Sequence, residues 1–271
     1  MQHVNDQHIV PEYLLKNFST DGLKVWSFDK QAISKRWGNA NFRSIKSTPT
    51  EKHIYDKQEG NPDGSLEYFL RDLENLVSPI IQKLVKGLDL NQLSANDKLL
   101  IAKFVLSQMA RTKGGIKVID NLKAQLNGFT ESRGFRLEDL NIKSFWLDQI
   151  EKSDKYVEYL LNKSWSLTIC DDEYYISDNP VVKYNTSNFQ PHRGTLGLDS
   201  KGIEIYLPLS SSVMLCLYCA ETFPHENIVV KASPGNIEYF NWLQVKYSDR
   251  FIYAKKEGFE LIDDMIKKET I

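Results

Sequence analysis

Four polar side chains fall at positions where the surrounding pattern predicts burial. His8 precedes a short helical segment, and Glu74 lies at the edge of an apolar helix stripe. Arg111 shares the face of Phe104 on a helix that is apolar around most of its circumference, and Asp178 follows a strand-like segment. Histidine and carboxylates can move protons, and an arginine can stabilise developing negative charge. We therefore predict these four as candidate catalytic residues.

Three amide side chains are candidates for binding the substrate. Gln108 lies four residues after Phe104, so it shares the helix face of Arg111. Asn241 and Gln244 lie among apolar residues in the last long helical segment, where they could join the same polar network. Buried amides need hydrogen-bond partners because an unpaired polar group is costly in an apolar interior.

Each candidate catalytic residue also has a structural alternative. Arg111 can be a buried cation paired with a core acid, and Glu74 can be that acid or a solvated flank. His8 can cap the following helix or pack in the core. Asp178 shortly before Pro180 is typical of a turn, although a carboxylate at a strand end can also orient His8 or hold a divalent cation. Metal binding is therefore left open.

The composition excludes several classes of protein. The chain has 271 residues, and 34 Lys and Arg against 36 Asp and Glu give a formal net charge of −2. This balance argues against binding of polyanions over the whole surface, while a local basic patch stays open. The sequence contains no glycine-rich phosphate loop, no His-Glu-x-x-His motif and no Gly-x-Ser-x-Gly elbow. It therefore points to no particular cofactor.

The cysteines and the apolar segments bear on location. Cys170, Cys216 and Cys219 are too few and too odd in number for a disulfide framework. The first eight residues contain no apolar core of a signal peptide, and no apolar stretch approaches the roughly 18 residues that a membrane span needs. We expect a cytoplasmic protein with no membrane association.

Helical periodicity dominates residues 61–162. Apolar residues recur at spacings of three and four from Leu66 to Leu84. Ser94 and Asp97 have the spacing of a capping box, which predicts the start of the next, nearly all-apolar helix. That helix should be central and buried.

Strand-like segments and turns dominate residues 163–255. Helices followed by strands predict an α+β fold, in which a helical N-terminal half packs on an antiparallel sheet formed mainly by the C-terminal half. No linker rich in Pro, Gly or Ser separates the two halves, so a single domain over residues 1–271 is predicted.

Several motifs occur in an order that resembles a known bacterial family. They are Gln7-His8-x-Val10-Pro11-x-Tyr13-Leu14-x-x-Phe18, Gln108-x-x-Arg111, Ser177-Asp178-x-Pro180, Pro208-Leu209-Ser210 and the late Asn241. Together they resemble the family called Domain of Unknown Function 4238, over about residues 5 to 255. The family name implies no particular activity. The resemblance does imply that His8, Gln108, Arg111 and Asp178 gather in one place.

Three functional hypotheses follow. The first is an intracellular hydrolase or nuclease that acts on a phosphate-containing substrate, for example as a toxin or phage-defence effector. The second is a non-catalytic module that binds a small anion or a partner protein. The third is an architectural role, in which the polar cluster is a buried ion-pair network that specifies helix packing. Oligomeric state does not follow from the sequence.

A separate segment bears on nucleic-acid binding. Trp26, Trp37 and Phe42 lie near four basic residues, which are Lys24, Lys35, Arg36 and Arg43. Bases can stack on aromatic rings while cations contact phosphates, so this segment is a candidate nucleic-acid contact. An ordinary hairpin with basic flanks is the favoured interpretation.

Overall fold

Six of the helices that the structure describes precede the main run of strands. The structure is a computed structural model that describes residues 6–32, 40–48, 50–58, 65–131, 141–188 and 194–268. The helices within these ranges are α1 (Glu12–Lys16), α2 (Glu67–Gly87), α3 (Ala95–Ala110), α4 (Lys113–Glu131), α5 (Ile142–Glu151), α6 (Val157–Leu161), α7 (Pro234–Tyr247) and α8 (Glu260–Lys267).

The strands form three sheets. They are β1 (Asp6–His8), β2 (Lys24–Asp29), β3 (Ala40–Ser44), β4 (Thr50–Lys52), β5 (Lys163–Ile169), β6 (Ile176–Ser177), β7 (Val182–Tyr184), β8 (Glu204–Ser210), β9 (Val213–Cys219), β10 (Ile228–Lys231) and β11 (Phe251–Ala254). A five-stranded sheet has the order β10-β5-β9-β8-β7, a four-stranded sheet β3-β2-β11-β6, and a two-stranded sheet pairs β1 with β4. The described pairs are antiparallel apart from β10–β5, which is parallel.

α3 is the central helix, as its sequence pattern predicts. The Ser94 hydroxyl accepts the Asp97 N–H at 3.1 Å, and the Asp97 carboxylate accepts the Ser94 N–H at 2.9 Å. This capping box satisfies two of the backbone donors that a helix start leaves unpaired. Beyond it, the consecutive residues from Phe104 to Gln108 are buried, because neighbours surround the helix on most sides.

α2 is amphipathic, with one face buried and the other in solvent. Leu70, Leu73 and Val77 are buried at helical spacing, whereas Leu76 is exposed. Pro79 lies inside the helix. In the part of the chain that the structure describes, no helix is long and apolar enough to cross a lipid bilayer.

The largest apolar cluster joins the two halves of the chain. It contains Leu73 from α2 and Phe104 from α3 together with Leu167 and Leu215 from the five-stranded sheet and Tyr253 from the four-stranded sheet. α7 covers the other face of the five-stranded sheet, and α8 packs against the other face of the four-stranded one. The N-terminal helices α1, α2 and α3 therefore share one core with both large sheets.

The predicted α+β class is confirmed, with differences in detail. The strands divide among three sheets rather than forming a single one, and two strands of the four-stranded sheet, β2 and β3, come from the N-terminal part of the chain. Residues 53–55 form a turn that directly follows strand β4 (Thr50–Lys52). His53 has a positive φ of 54°, which is incompatible with a continuing strand.

Candidate functional site

Arg111 follows the last residue of α3 and connects three parts of the chain. Its side chain is only 3% exposed, and Nη1 donates a hydrogen bond to the Glu74 carboxylate on α2. Nη2 donates to the His8 carbonyl at 2.6 Å, and Nε donates to the Tyr55 hydroxyl at 3.3 Å. Burial lowers the pKa of Arg111, but Tyr55 and Glu74 raise it by more, so the guanidinium stays charged.

His8 forms an acid–imidazole pair beside this ion pair. Its Nε2 lies 3.1 Å from Oε1 of Glu12, the first residue of α1, and both side chains are partly exposed. Burial lowers the pKa of His8, while Glu12 and Glu74 oppose that effect and Arg111 adds to it. The imidazole is therefore neutral at neutral pH, the state in which it can accept a proton.

Three buried polar atoms of this cluster have no hydrogen-bond partner among the described residues. They are His8 Nδ1, the Tyr13 hydroxyl and Gln108 Oε1. Gln108 uses its other atom, Nε2, to donate to the Ile9 carbonyl at 3.0 Å. Burial raises the pKa of Tyr13 well above its ordinary value, so its hydroxyl keeps its proton. Unsatisfied buried groups concentrated in one place are typical of a site that takes up water or a ligand.

The strand that carries His8 is held in place by buried side chains. Gln7 Oε1 accepts the Tyr55 N–H at 2.7 Å, and Gln7 Nε2 donates to Asp56 Oδ1 at 2.9 Å. The other oxygen of Asp56 lies 2.8 Å from His53 Nδ1. This network fixes β1 against the turn after β4, and so fixes where His8 presents its side chain.

Asp178 is bound to backbone donors at the start of β11 and just before it. Its carboxylate accepts N–H groups from Asp249, Arg250 and Phe251 at 2.8, 2.8 and 2.9 Å. Burial raises the pKa of Asp178, and these three donors oppose the rise. No group of three His, Cys, Asp or Glu side chains is placed to hold a metal ion in the described ranges.

Asn241 and Gln244 on α7 bind the backbone of residues 173–180, the segment that contains Asp178. Asn241 accepts the Tyr175 N–H at 2.8 Å and donates to the Glu173 carbonyl at 2.9 Å. Gln244 accepts the Ser177 N–H at 3.0 Å and donates to the carbonyl of Pro180 at 2.9 Å. Both amides are thus paired with backbone, and among the described residues neither hydrogen-bonds to the cluster of His8, Glu12, Glu74, Gln108 and Arg111 (the His8–Arg111 cluster).

A pocket of about 240 Å³ lies between the segment after β1 and strand β11. Its lining consists of Ile9, Val10, Leu15, Thr48, Thr50, Glu51, Lys113, Asp178, Asp249, Arg250, Phe251 and Tyr253. Asp178 therefore lines this pocket, whereas His8, Glu74 and Arg111 do not. Thr50 is the cross-strand partner of His8, which makes the pocket and the His8–Arg111 cluster neighbours.

The predicted hairpin is present in the described part of the aromatic and basic segment. β2 and β3 pair antiparallel, the Trp26 and Phe42 rings lie 5.1 Å apart, and Lys24 Nζ lies 5.5 Å from the Phe42 centroid. Trp37, Lys35 and Arg36 lie outside the described residues. Nucleic-acid contact by this hairpin stays a prediction.

The family comparison confirms the predicted family. The family model described as "Protein of unknown function (DUF4238)" matches residues 6–258, which is nearly the whole chain. The chain belongs to the DUF4238 family. No curated protein and no solved structure matches it.

The DUF4238 chain brings together four of the seven predicted site residues, which are His8, Glu74, Gln108 and Arg111. Asp178 instead forms its side-chain hydrogen bonds with the backbone of Asp249, Arg250 and Phe251. The link between the two regions runs through Thr112, whose hydroxyl donates to Asn179 Oδ1 at 3.0 Å.

The cluster also contains residues that were not predicted from the sequence. These are Glu12, Tyr13 and Tyr55. The spacing of His8 and Glu12, four residues apart at a helix start, was a usable signal for Glu12. Nothing local to Tyr55 indicates that it meets Arg111.

Proposed function

We propose that this DUF4238 protein is a hydrolase of a phosphate-containing substrate, in which His8 transfers the proton. The observation that carries the proposal is the His8–Glu12 pair, 3.1 Å apart and partly exposed, beside the buried Glu74–Arg111 pair. An intracellular nuclease that serves as a toxin or in phage defence is the form to test first.

His8 has the protonation state that a general base needs. A neutral imidazole that donates its Nε2–H to Glu12 leaves a lone pair on Nδ1, which is buried and has no partner among the described residues, so the group that gives up its proton has to enter the cluster. A carboxylate that orients an imidazole in this way fixes its tautomer and stabilises the imidazolium that forms when the base accepts a proton. Glu12 is therefore proposed as the orienting acid.

Arg111 is proposed as a positioning residue. Three of its donors are already used, by Glu74, the His8 carbonyl and the Tyr55 hydroxyl. Its bond to the His8 carbonyl holds the backbone that carries the imidazole. Its bond to Glu74 keeps a second carboxylate in the cluster, where that carboxylate favours the protonated form of His8.

The proposal is tested by hydrolysis assays with purified protein. RNA, single-stranded and double-stranded DNA, and nucleotides are incubated with and without Mg²⁺ or Mn²⁺. We expect one substrate class to be cleaved, and His8→Gln to reduce the rate roughly 10²–10⁴-fold, the usual contribution of a general base. His225 is an exposed histidine that packs on Phe223, so His225→Gln is the matched control and should keep the wild-type rate.

Two results would contradict the proposal. One is a wild-type protein that cleaves none of these substrates under any condition. The other is a His8→Gln variant that is as active as His225→Gln.

A second candidate function is a non-catalytic module that binds a small anion or a partner protein, and the pocket of about 240 Å³ has room for a small ligand. A binding module predicts a rise in melting temperature with ligand and no turnover. The hydrolysis assays above and a thermal melt with the same ligands separate the two functions.

A further inference from the structure

The pocket between the segment after β1 and strand β11 has an apolar part and an acidic part. Ile9, Val10 and Leu15 are buried apolar residues that line it from the segment after β1 and from α1. Asp178 and Tyr253 line it from the side of the four-stranded sheet. A ligand that fills the pocket therefore meets hydrocarbon as well as a carboxylate.

Asp178 is the one charged side chain of the lining that has no ion-pair partner among the described residues. The other four charges of the lining are held in three ion pairs, which are Lys113 with Glu51, Asp249 with Lys117, and Arg250 with Asp29. Each of these pairs is neutral as a whole. The lining therefore keeps one uncompensated negative charge, and it lies on Asp178.

Lys30 is a nearby cation that does not balance this charge. Burial lowers the pKa of Lys30, and the charges of Asp178 and Asp249 oppose that effect. The ammonium group donates instead to the carbonyls of Val245 and Ser248 and to the Ser248 hydroxyl, each at 3.1 Å. An ammonium group has three donors, so all those of Lys30 are used.

The Asp178 carboxylate is bound by neutral donors alone. It is 6% exposed and accepts the N–H groups of Asp249, Arg250 and Phe251. A carboxylate has about four lone-pair sites, so these three bonds leave room for a further donor. Burial raises the pKa of Asp178 by more than the three N–H groups lower it, and the charge of Asp249 adds to the rise. A cation in the pocket would relieve this destabilisation of the charged form.

The Tyr253 hydroxyl is a second polar group of the lining that lacks a hydrogen bond. Tyr253 is only 2% exposed, and its hydroxyl has no hydrogen-bond partner among the described residues. Burial raises the pKa of Tyr253 well above its ordinary value, and the charge of Asp178 adds to the rise. The hydroxyl therefore keeps its proton beside the carboxylate. A buried polar side chain without a partner indicates a place that water or a ligand completes.

We propose that this pocket binds a small primary ammonium ion, with Asp178 as the counter-ion and the Tyr253 hydroxyl oxygen as a second acceptor. An ammonium group has three N–H donors and no acceptor, so it matches a carboxylate and a hydroxyl oxygen. The apolar residues of the lining would contact its hydrocarbon chain. The pocket volume of about 240 Å³ lies below the range of roughly 300–1,000 Å³ that is usual for drug-sized ligands, which favours a short alkylamine.

The test is an NMR titration of the isotope-labelled, full-length protein. Propylammonium, propanol and propionate are the probes, because they are similar in size and differ in charge. Sodium chloride keeps the ionic strength constant. With propylammonium alone we expect saturable shifts of the amide signals of residues 249–251, whose N–H groups bind Asp178. No reaction is measured, so the result is independent of the proposed hydrolysis.

Two variants and their matched controls locate the binding. Asp178→Asn should weaken binding roughly tenfold or more, because a hydrogen bond to a charged group becomes a neutral one. Asp172→Asn makes the same change at an exposed residue outside the lining and should bind like the wild type. Tyr253→Phe removes only the hydroxyl and should weaken binding by about twofold to tenfold. Tyr174→Phe removes another buried hydroxyl that has no partner among the described residues, outside the lining, and should bind like the wild type.

Absence of saturable binding by propylammonium overturns the proposal. Equal affinity for propanol also overturns it, because the apolar part of the pocket would then account for the binding. Equal affinity in Asp178→Asn and Asp172→Asn has the same consequence. If Asp178→Asn does not fold, as judged by its thermal melt, the comparison of Tyr253→Phe with Tyr174→Phe decides, and wild-type affinity in Tyr253→Phe then overturns the proposal.

Discussion

Replacing Arg111 with leucine tests whether the Glu74–Arg111 pair is coupled as the structure shows. Arg111→Leu removes a 3%-exposed cation and leaves three former acceptors without their donor, which are Glu74, the His8 carbonyl and the Tyr55 hydroxyl. Stranding one partner of a buried pair costs roughly 3–5 kcal/mol. Glu74 is 20% exposed and water can partly solvate it, so we expect about 3 kcal/mol, the lower end of that range.

The partner variant should cost a similar amount, and the pair should be non-additive. Glu74→Gln keeps an amide oxygen as acceptor but leaves Arg111, the more deeply buried charge, without its counter-ion, so we expect a loss of about 3 kcal/mol. In the double variant no charge is stranded, and the loss should be smaller than the sum of the single losses by roughly 1–3 kcal/mol. Urea denaturation with linear extrapolation gives the free energy of unfolding for each protein.

The exposed pair Lys57–Glu151 is the control for this double-mutant cycle. Its side chains are 46% and 47% exposed with Nζ and Oε2 3.1 Å apart, so Lys57→Met with Glu151→Gln should show coupling below about 0.5 kcal/mol. The buried ion pair is refuted if the losses in Arg111→Leu and Glu74→Gln add up to the loss in the double variant within about 0.5 kcal/mol.

Three further predictions concern protonation and buried hydrogen bonds. Because burial lowers the pKa of His8 below 6.5, the unfolded chain binds more protons near that pH. The free energy of unfolding should therefore decrease as pH falls from about 7 to 5.5, and less so in His8→Gln, as measured by urea denaturation at each pH. Asp178→Asn should lower the free energy of unfolding by about 2 kcal/mol through weakened bonds to three N–H groups, whereas the exposed Asp172→Asn should change it by less than about 0.5 kcal/mol. Burial raises the pKa of Cys216 to about 12. Burial also raises the pKa of Cys219, but hydrogen bonds from backbone N–H groups lower it by more, so the pKa of Cys219 lies below its ordinary value. Iodoacetamide at pH 8 should therefore modify Cys219 before Cys216, as read by peptide mass mapping, and the reverse order would contradict this assignment.

The helices were predictable because their signals are local. The Ser94–Asp97 capping box and the apolar run that follows it specify α3 within a few residues of sequence. The division of strands among three sheets was not predictable. It depends on pairing between β2 and β11, whose residues are separated by most of the chain, and no local pattern encodes that choice.

The candidate site was predictable in part for a similar reason. Arg111 and Gln108 could be identified because they are polar residues on an apolar helix face, and the structure places both at β1. The same rule also selected Asn241 and Gln244, which are paired with backbone. Burial of an amide is visible in the pattern, but whether its partner is a carbonyl of the chain or a ligand is not.

The bond between Arg111 and the His8 carbonyl joins residues 103 positions apart, and the Arg250–Asp29 pair spans 221 positions. During synthesis, the first strands must therefore wait until α3 has left the ribosome before the polar cluster can form. They must wait for β11, which is synthesised after α7, before the four-stranded sheet can close. A nascent chain stalled before Phe251 would contain β2 and β3 but not β11. The edge of β2 that pairs with β11 would then be unpaired, and chaperones or other copies of the chain could bind to it.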